Sequence, residues 1–279
     1  MNKEFVEFLC QFANTREKQD EIRSRLSGKD KMQPVIDAID EKCEDLEWKM
    51  DRMMELIQAT GMHQKAFGEY RGCFADREVV LLGTGPTLAK YKPIPGAVHI
   101  GVNQAFKRDD IAVDFLFIQD TRSLNHDLHE ANAYAPGKCV KFYGVQTYNI
   151  PDEFAAMRVH PSDATAAGAR EFIVENYYDG PFAIDISRMP MMEWGSVMFS
   201  ALQFALFTFP KKIYLVGVDC SNKGFFANDK HYMSQTGNTW LGEKWEKLIS
   251  FFTFFYPSVK VVSINPVGLA GMFDEDIYQ

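Results

Sequence analysis

Arg77-Glu-Val-Val-Leu-Leu-Gly-Thr-Gly-Pro-Thr-Leu-Ala-Lys90 is the stretch whose reading decides the fold. Val79 to Leu82 is an unbroken apolar run, which predicts a strand covered on both faces. Gly83-Thr84-Gly85-Pro86-Thr87-Leu88 follows at once. The two glycines allow a sharp turn and a close approach to a ligand. Pro86 has the φ that suits a first helical position. The hydroxyls of Thr84 and Thr87 stand beside the free N–H groups of that helix start, where an anion is favoured. Two readings stay open: a phosphate-binding turn after the first strand of a nucleotide fold, and an ordinary strand-to-helix turn.

Moving outward, further apolar runs predict strands at residues 98–102, 115–118, 139–143, 182–186, 213–216 and 259–264. Helical periodicity fills residues 163–177, 196–208 and 239–256. Strands alternating with helices imply an α/β domain with a mostly parallel sheet and helices on both faces. Thr84, Asn103, Gln104, Gln119, Asp120, Asp219 and Asn265 all stand just after predicted strands. In open parallel sheets ligands bind at that edge, so these residues are expected to share one crevice. The plainer reading is that Asn and Asp favour turns in any fold.

Upstream, residues 2–26 and 32–60 carry apolar residues at three- and four-residue steps, with Gly61 as the expected stop. They predict an N-terminal helical hairpin, either an arm for homo-oligomerisation or docking, or a cap on its own domain. The expected division is an arm over residues 1–75 and a ligand-binding domain over 76–279. Among 279 residues the formal net charge is −8, which argues against a general nucleic-acid binder. Cys10, Cys43, Cys73, Cys139 and Cys220 are scattered and odd in number, as expected of reduced thiols. The first residues are acidic where a signal peptide is apolar, and the apolar stretches are too short to span a bilayer. A cytoplasmic protein is expected, with attachment to the inner face of a membrane left open.

Three further positions bear on chemistry. Gly195-Ser196 opens an apolar helix, so Ser196 is an N-cap, a phosphate contact, or both. His231 lies in a long polar and aromatic loop at the ligand end of the sheet, where a group titrating near neutrality serves as a general base. Cys220 is placed like a nucleophile but reads as an inert thiol. No His, Cys or carboxylate set has complete metal-ligand spacing, so no metal is assigned.

In this order, Val79-Val-Leu-Leu-Gly-Thr-Gly-Pro-Thr-Leu88, Gly101-Val-Asn-Gln104, Trp194-Gly-Ser196, Lys212-Ile-Tyr-Leu-Val-Gly-Val-Asp219 and His231-Tyr232 resemble the bacterial sialyltransferases of the Campylobacter lipooligosaccharide type. They are equally similar to the flagellin-modifying motility accessory factors and the archaeal pterin pyrophosphokinase-like domain of unknown function. The resemblance spans about residues 77–270. It implies a Rossmann-like glycosyltransferase domain that uses a cytidine-monophosphate sugar without a metal. Gly83, Gly85 and Asn103, with Thr84, Pro86, Thr87 and Gln104 beside them, match the nucleotide-binding positions. Ser196 matches the serine opening the late helix, and His231, just before Tyr232, matches the general base. Thr84 and Thr87 replace an asparagine and a serine of the family's Gly-Asn-Gly-Pro-Ser. The family's phosphate-holding tyrosines after Gly-x-Asp are absent, leaving Arg188 and Lys223 as candidate charges. Glu193-Trp194 stand where the family has an arginine. These departures point away from sialic acid itself and toward another nucleotide-activated group.

The expected function is therefore glycosyl transfer from a CMP-type donor to a glycan acceptor in surface polysaccharide or glycoconjugate synthesis. The alternatives are a pterin-type pyrophosphokinase with Mg²⁺ on Asp120 and Asp219, and a non-catalytic nucleotide-binding module.

Overall fold

The computed structural model describes residues 29–120, 128–148, 158–175, 182–221, 223–224, 226 and 239–278. The first helix expected from the sequence, over residues 2–26, lies outside them. The chain divides into two compact units, residues 1–55 and 56–279.

Helix α1 spans Lys29–Phe67. From Ile36 to Glu55 its side chains are largely exposed, and Lys49–Asp45 and Arg52–Glu55 pair along its surface at 2.6 and 3.1 Å. Gly61 does not end it. A helical glycine costs about 1 kcal/mol against alanine, and burial of Ala59, His63, Ala66 and Phe67 offsets that. Phe67 stacks on Phe142 at 5.0 Å. His63 is fully buried and uses both ring nitrogens: Nδ1 lies 2.8 Å from the Ile186 carbonyl, and Nε2 accepts from the Ile173 N–H at 2.8 Å.

Nine strands follow: β1 Glu78–Leu82, β2 Val98–Val102, β3 Phe115–Ile118, β4 Val140–Tyr148, β5 Arg170–Glu175, β6 Met191–Met192, β7 Lys212–Val216, β8 Lys260–Ile264 and β9 Asp274–Asp276. They form one sheet in the order β6-β5-β4-β3-β2-β1-β7-β8-β9, and every pairing is parallel. Short helices α2 Leu128–Ala133 and α3 Pro161–Ala166 and longer ones α4 Val197–Phe207 and α5 Trp240–Phe255 cover it.

Alternation along each strand builds two cores. Val79 and Leu81 face one with Phe67, Phe204 and Trp245, whereas Val80 and Leu82 face the other with Leu88, Ala131 and Ala164. All eleven residues of α4 are buried, which accounts for its unbroken apolar sequence. No described helix is long and apolar enough to cross a membrane.

Two further sequence expectations are corrected. The helix expected over residues 163–177 ends at Ala166, and Gly168, with φ of 62°, turns the chain into β5. Phe172, Ile173 and Val174 are fully buried, and β-branched and aromatic side chains fit a covered strand better than a helix. The strand expected over 182–186 does not form. Phe182, Ala183 and Ile186 are buried in irregular backbone, with the Ala183 N–H donating to Gln203 Oε1 at 3.0 Å. The very short β6 and β9 were not foreseen.

Burial holds the His63 imidazole neutral, its pKa lowered from 6.5 to about 4. The unfolded chain thus takes up a proton at higher pH than the folded one, and this part of the stability is present above about pH 6.5 and lost as pH falls toward 4. The difference corresponds to about 3 kcal/mol. In urea denaturation, wild type is expected to lose its stability margin over His63→Gln between pH 7 and pH 4. An unchanged margin would contradict the buried neutral imidazole.

Candidate functional site

Strands β1 to β6 run outward in one direction, and β7 to β9 occupy the other side of β1. The order therefore reverses between β1 and β7, and a ligand crevice is expected outside their carboxyl ends. Leu82 pairs with both Gly101 and Val216, and Val216 with Ile264. This register brings the residues following β1, β2, β7 and β8, namely Gly83–Thr87, Asn103, Gly217–Asp219 and Asn265, to one edge.

At the reversal the two turns close on each other. The Gly83 N–H donates to the Val216 carbonyl at 2.7 Å, and the Gly85 N–H to the Gly217 carbonyl at 2.8 Å. A Cβ on Gly83 would collide with the Gly217 carbonyl, and one on Gly85 would lie 2.5 Å from Asp219 Cγ. Gly217 also adopts φ of 65°, the left-handed region. The close approach read from these glycines is thus made by a neighbouring turn of the same chain.

The segment after β1 is also not an α-helix. Pro86–Lys90 is a five-residue 3-10 turn. Asp219 stands against its start: the Thr87 N–H donates to Oδ2 at 2.9 Å and the Thr87 hydroxyl to Oδ1. An internal carboxylate takes the donors of Thr87, which the phosphate-turn reading would give to an anion. Burial pushes the Asp219 carboxyl above the usual range, opposed by the Thr87 hydrogen bonds and the charge of Lys223. The Phe226 N–H donates to the Thr84 carbonyl at 2.9 Å, and the Gly268 N–H to the Asp219 carbonyl at 2.8 Å, tying the later turns to the same place. Cys220 is buried, its thiol pushed up to about 12 by burial and by Asp219, as expected of an inert thiol.

Asn103 and Asn265 flank this closure. Both adopt left-handed backbone, φ of 47° and 50°, which asparagine tolerates better than most residues. Asn265 Oδ1 accepts from the Tyr278 N–H at 2.9 Å. Asn103 Oδ1 and Asn265 Nδ2 are buried and have no hydrogen-bond partner, and among the described residues no other buried side-chain N or O atom is left so. Such an orphan costs about 1–3 kcal/mol unless a water or ligand completes it. Gln104, next to Asn103, is buried.

On the β3 side the edge holds a buried polar cluster. Gln119 Nε2 donates to Glu193 Oε2 at 2.9 Å, and its Oε1 accepts from the Ser200 hydroxyl at 3.2 Å. Arg158 donates to the Gln119 carbonyl at 3.1 Å and to Glu193 Oε2 at 2.8 Å. Both members of the ion pair are 8% exposed. Burial raises the Glu193 carboxyl, opposed by Arg158 and reinforced by the charge of Asp120. Gln119 thus spends both ends of its amide inside the protein rather than toward a ligand. The sequence reading missed Arg158 altogether. Its one signal was a carboxylate within the apolar Met191-Met192-Glu193-Trp194, which needs a buried cation.

Ser196 caps α4, its hydroxyl oxygen accepting from the Met198 N–H at 3.3 Å. Ser200, one turn on, touches Gln119, so the start of α4 stands at the same edge. Arg188, a candidate phosphate charge, is exposed and lies 3.8 Å from Asp185. His231 and Tyr232 lie outside the described residues.

No protein-family model and no curated protein matches the chain. Among solved structures it is similar to the sialyltransferase CstII from Campylobacter jejuni in complex with the substrate analogue CMP-3FNeuAc. The identity is 12%, over 71% of this chain and 86% of that one, with a TM-score of 0.36. A point mutant of the α-2,3/8-sialyltransferase CstII gives 13%, 67%, 81% and 0.36. At these values the likeness transfers no residue role and carries no argument.

Thr87→Val is expected to cost about 1.5–3 kcal/mol at pH 7, the range for a hydrogen bond to a charged group. Adding Asp219→Asn should recover part of it, because a neutral side chain tolerates the lost donor better. Urea denaturation of the ligand-free protein measures both. A Thr87→Val variant as stable as wild type would contradict a stabilising bond between the Thr87 hydroxyl and Asp219.

Proposed function

We propose that this protein binds a nucleotide-activated sugar, with CMP as the leading nucleotide, across the carboxyl edge of β1, β2 and β7, and transfers the sugar to a glycan acceptor. The observation that carries the proposal is the pair of unpartnered buried amide atoms, Asn103 Oδ1 and Asn265 Nδ2, on either side of the sheet's reversal point. An acceptor oxygen at Asn103 suits a ribose hydroxyl or an exocyclic amine. A donor at Asn265 suits a carbonyl or phosphate oxygen. The ordered sequence resemblance favours CMP over other nucleotides.

In this reading Asp219 braces the Thr87 turn, and the glycines allow β1 and β7 to meet. Thr84 and Ser196 remain contacts at the edge. His231 takes the acceptor's proton as the bond to the donor phosphate breaks. The acceptor belongs to surface polysaccharide or glycoconjugate synthesis, met in the cytoplasm at the inner membrane face. The Mg²⁺-dependent alternative would place the ion on Asp120 and on Asp219, and both Asp219 oxygens accept from Thr87.

Calorimetric titration with CMP, UMP, AMP and GMP tests the proposal. CMP is expected to bind, and Asn103→Ala to weaken it roughly tenfold, the worth of one hydrogen bond of about 1.4 kcal/mol. Failure of all four nucleotides to bind would discard the reading. His231→Ala is expected to keep CMP affinity and lose transfer, and surviving transfer would put the base elsewhere.

A further inference from the structure

The amino-terminal half of α1 carries an apolar stripe that the nucleotide proposal does not use. Ile36, Ile39, Cys43, Leu46, Met50 and Met53 follow one another at alternating steps of three and four residues. That is the strict a/d spacing of a two-stranded seam, narrower than the stripe of a helix laid on a globular core. Leu46, Met50 and Met53 are 58%, 66% and 61% exposed, and Cys43 is exposed. Three consecutive core layers open to water on a continuous helix call for an occupant.

The flanking charges select it. With Ile36, Cys43 and Met50 at a, the e positions are Asp40 and Glu47 and the g positions are Lys42 and Lys49. All four side chains are exposed. One flank is acidic and the other basic. In a parallel pair of identical helices, g of one chain meets e of the next heptad in the other, which sets Lys42 against Glu47 of the second copy, twice by symmetry. An antiparallel pair sets g against g and e against e, lysine against lysine and carboxylate against carboxylate. The pattern complements itself only in parallel. Lys49 already pairs with Asp45 on its own helix at 2.6 Å, an exposed contact that does not block the seam.

We infer that residues 36–53 form a parallel, in-register two-stranded coiled coil with a second copy of this chain. Cys43 then faces Cys43 of the other copy across an a layer. Trp48 lies on the outer face, at f, and takes no part in the seam.

Sedimentation of the full-length protein across a concentration series is expected to show a dimer. Leu46→Glu is expected to raise its dissociation constant roughly a hundredfold or more, because two buried leucines are lost at once. Trp48→Ala should leave it unchanged. Lys42→Glu is expected to weaken the dimer, and Lys42→Glu with Glu47→Lys to restore it. In an antiparallel seam that sets Lys42 against Lys49, Lys42→Glu strengthens it instead. Diamide, which takes up the two thiol hydrogens, is expected to link the wild type covalently as a dimer and to leave Cys43→Ser unlinked. A monomer at every concentration would overturn the inference and mean that the stripe is covered within one chain. A dimer indifferent to Leu46→Glu would also overturn it, as would strengthening by Lys42→Glu.

Discussion

Everything at the carboxyl edge depends on how closely the turns after β1 and β7 approach each other. The backbones of Gly83 and Gly85 reach the carbonyls of Val216 and Gly217, and Asp219 enters the space a Cβ on Gly85 would need. The bond geometry leaves no room for a side chain at these glycines. Once the turns are locked, the sheet's reversal point has a fixed shape, and Asn103 and Asn265 are held on either side in left-handed backbone. The two buried amide atoms left without partners are what this edge would offer a ligand.

Most of the sheet was legible in the sequence, because β1, β2, β3, β7 and β8 are short apolar runs that end on Gly, Asn, Gln or Asp. A strand buried on both faces leaves this signature without help from elsewhere in the chain. The region from 161 to 192 was not legible, since the balance there is set by tertiary packing. Residues 170–175 can be read at either period and pair with β4 as a strand, while 182–186 have the composition of a strand but bond to a side chain, the Ala183 N–H donating to Gln203. Gly61 failed as a helix stop for the same reason: His63 and Phe67, beyond it, gain more from the core than the glycine loses.

The convergence of the strand ends was legible, and the hydrogen bonds made there were less so. The residues after the strands do converge on one edge, as parallel topology requires. Their hydrogen bonds were out of reach. Thr87 meets Asp219 across 132 positions, and Gln119 meets Glu193 across 74. Local sequence gives no sign of such partners, so it left the Thr87 turn open between a phosphate contact and an ordinary turn, and the carboxylate of Asp219 was not in view. Arg158 was missed because nothing near it in sequence marks it, although Glu193 in an apolar run had asked for a cation. The two buried groupings divide the work: Asp219 with Thr87 braces the reversal point, and Arg158 with Glu193 and Gln119 fixes the β3 side against the start of α4.

A crystal structure of the protein with CMP bound tests the central claim most directly. The nucleotide is expected at the carboxyl ends of β1, β2 and β7, with a donor group within hydrogen-bond distance of Asn103 Oδ1 and the Asp219–Thr87 contact intact. CMP bound elsewhere on the molecule, or Asn103 Oδ1 still without a partner beside a bound nucleotide, would contradict it.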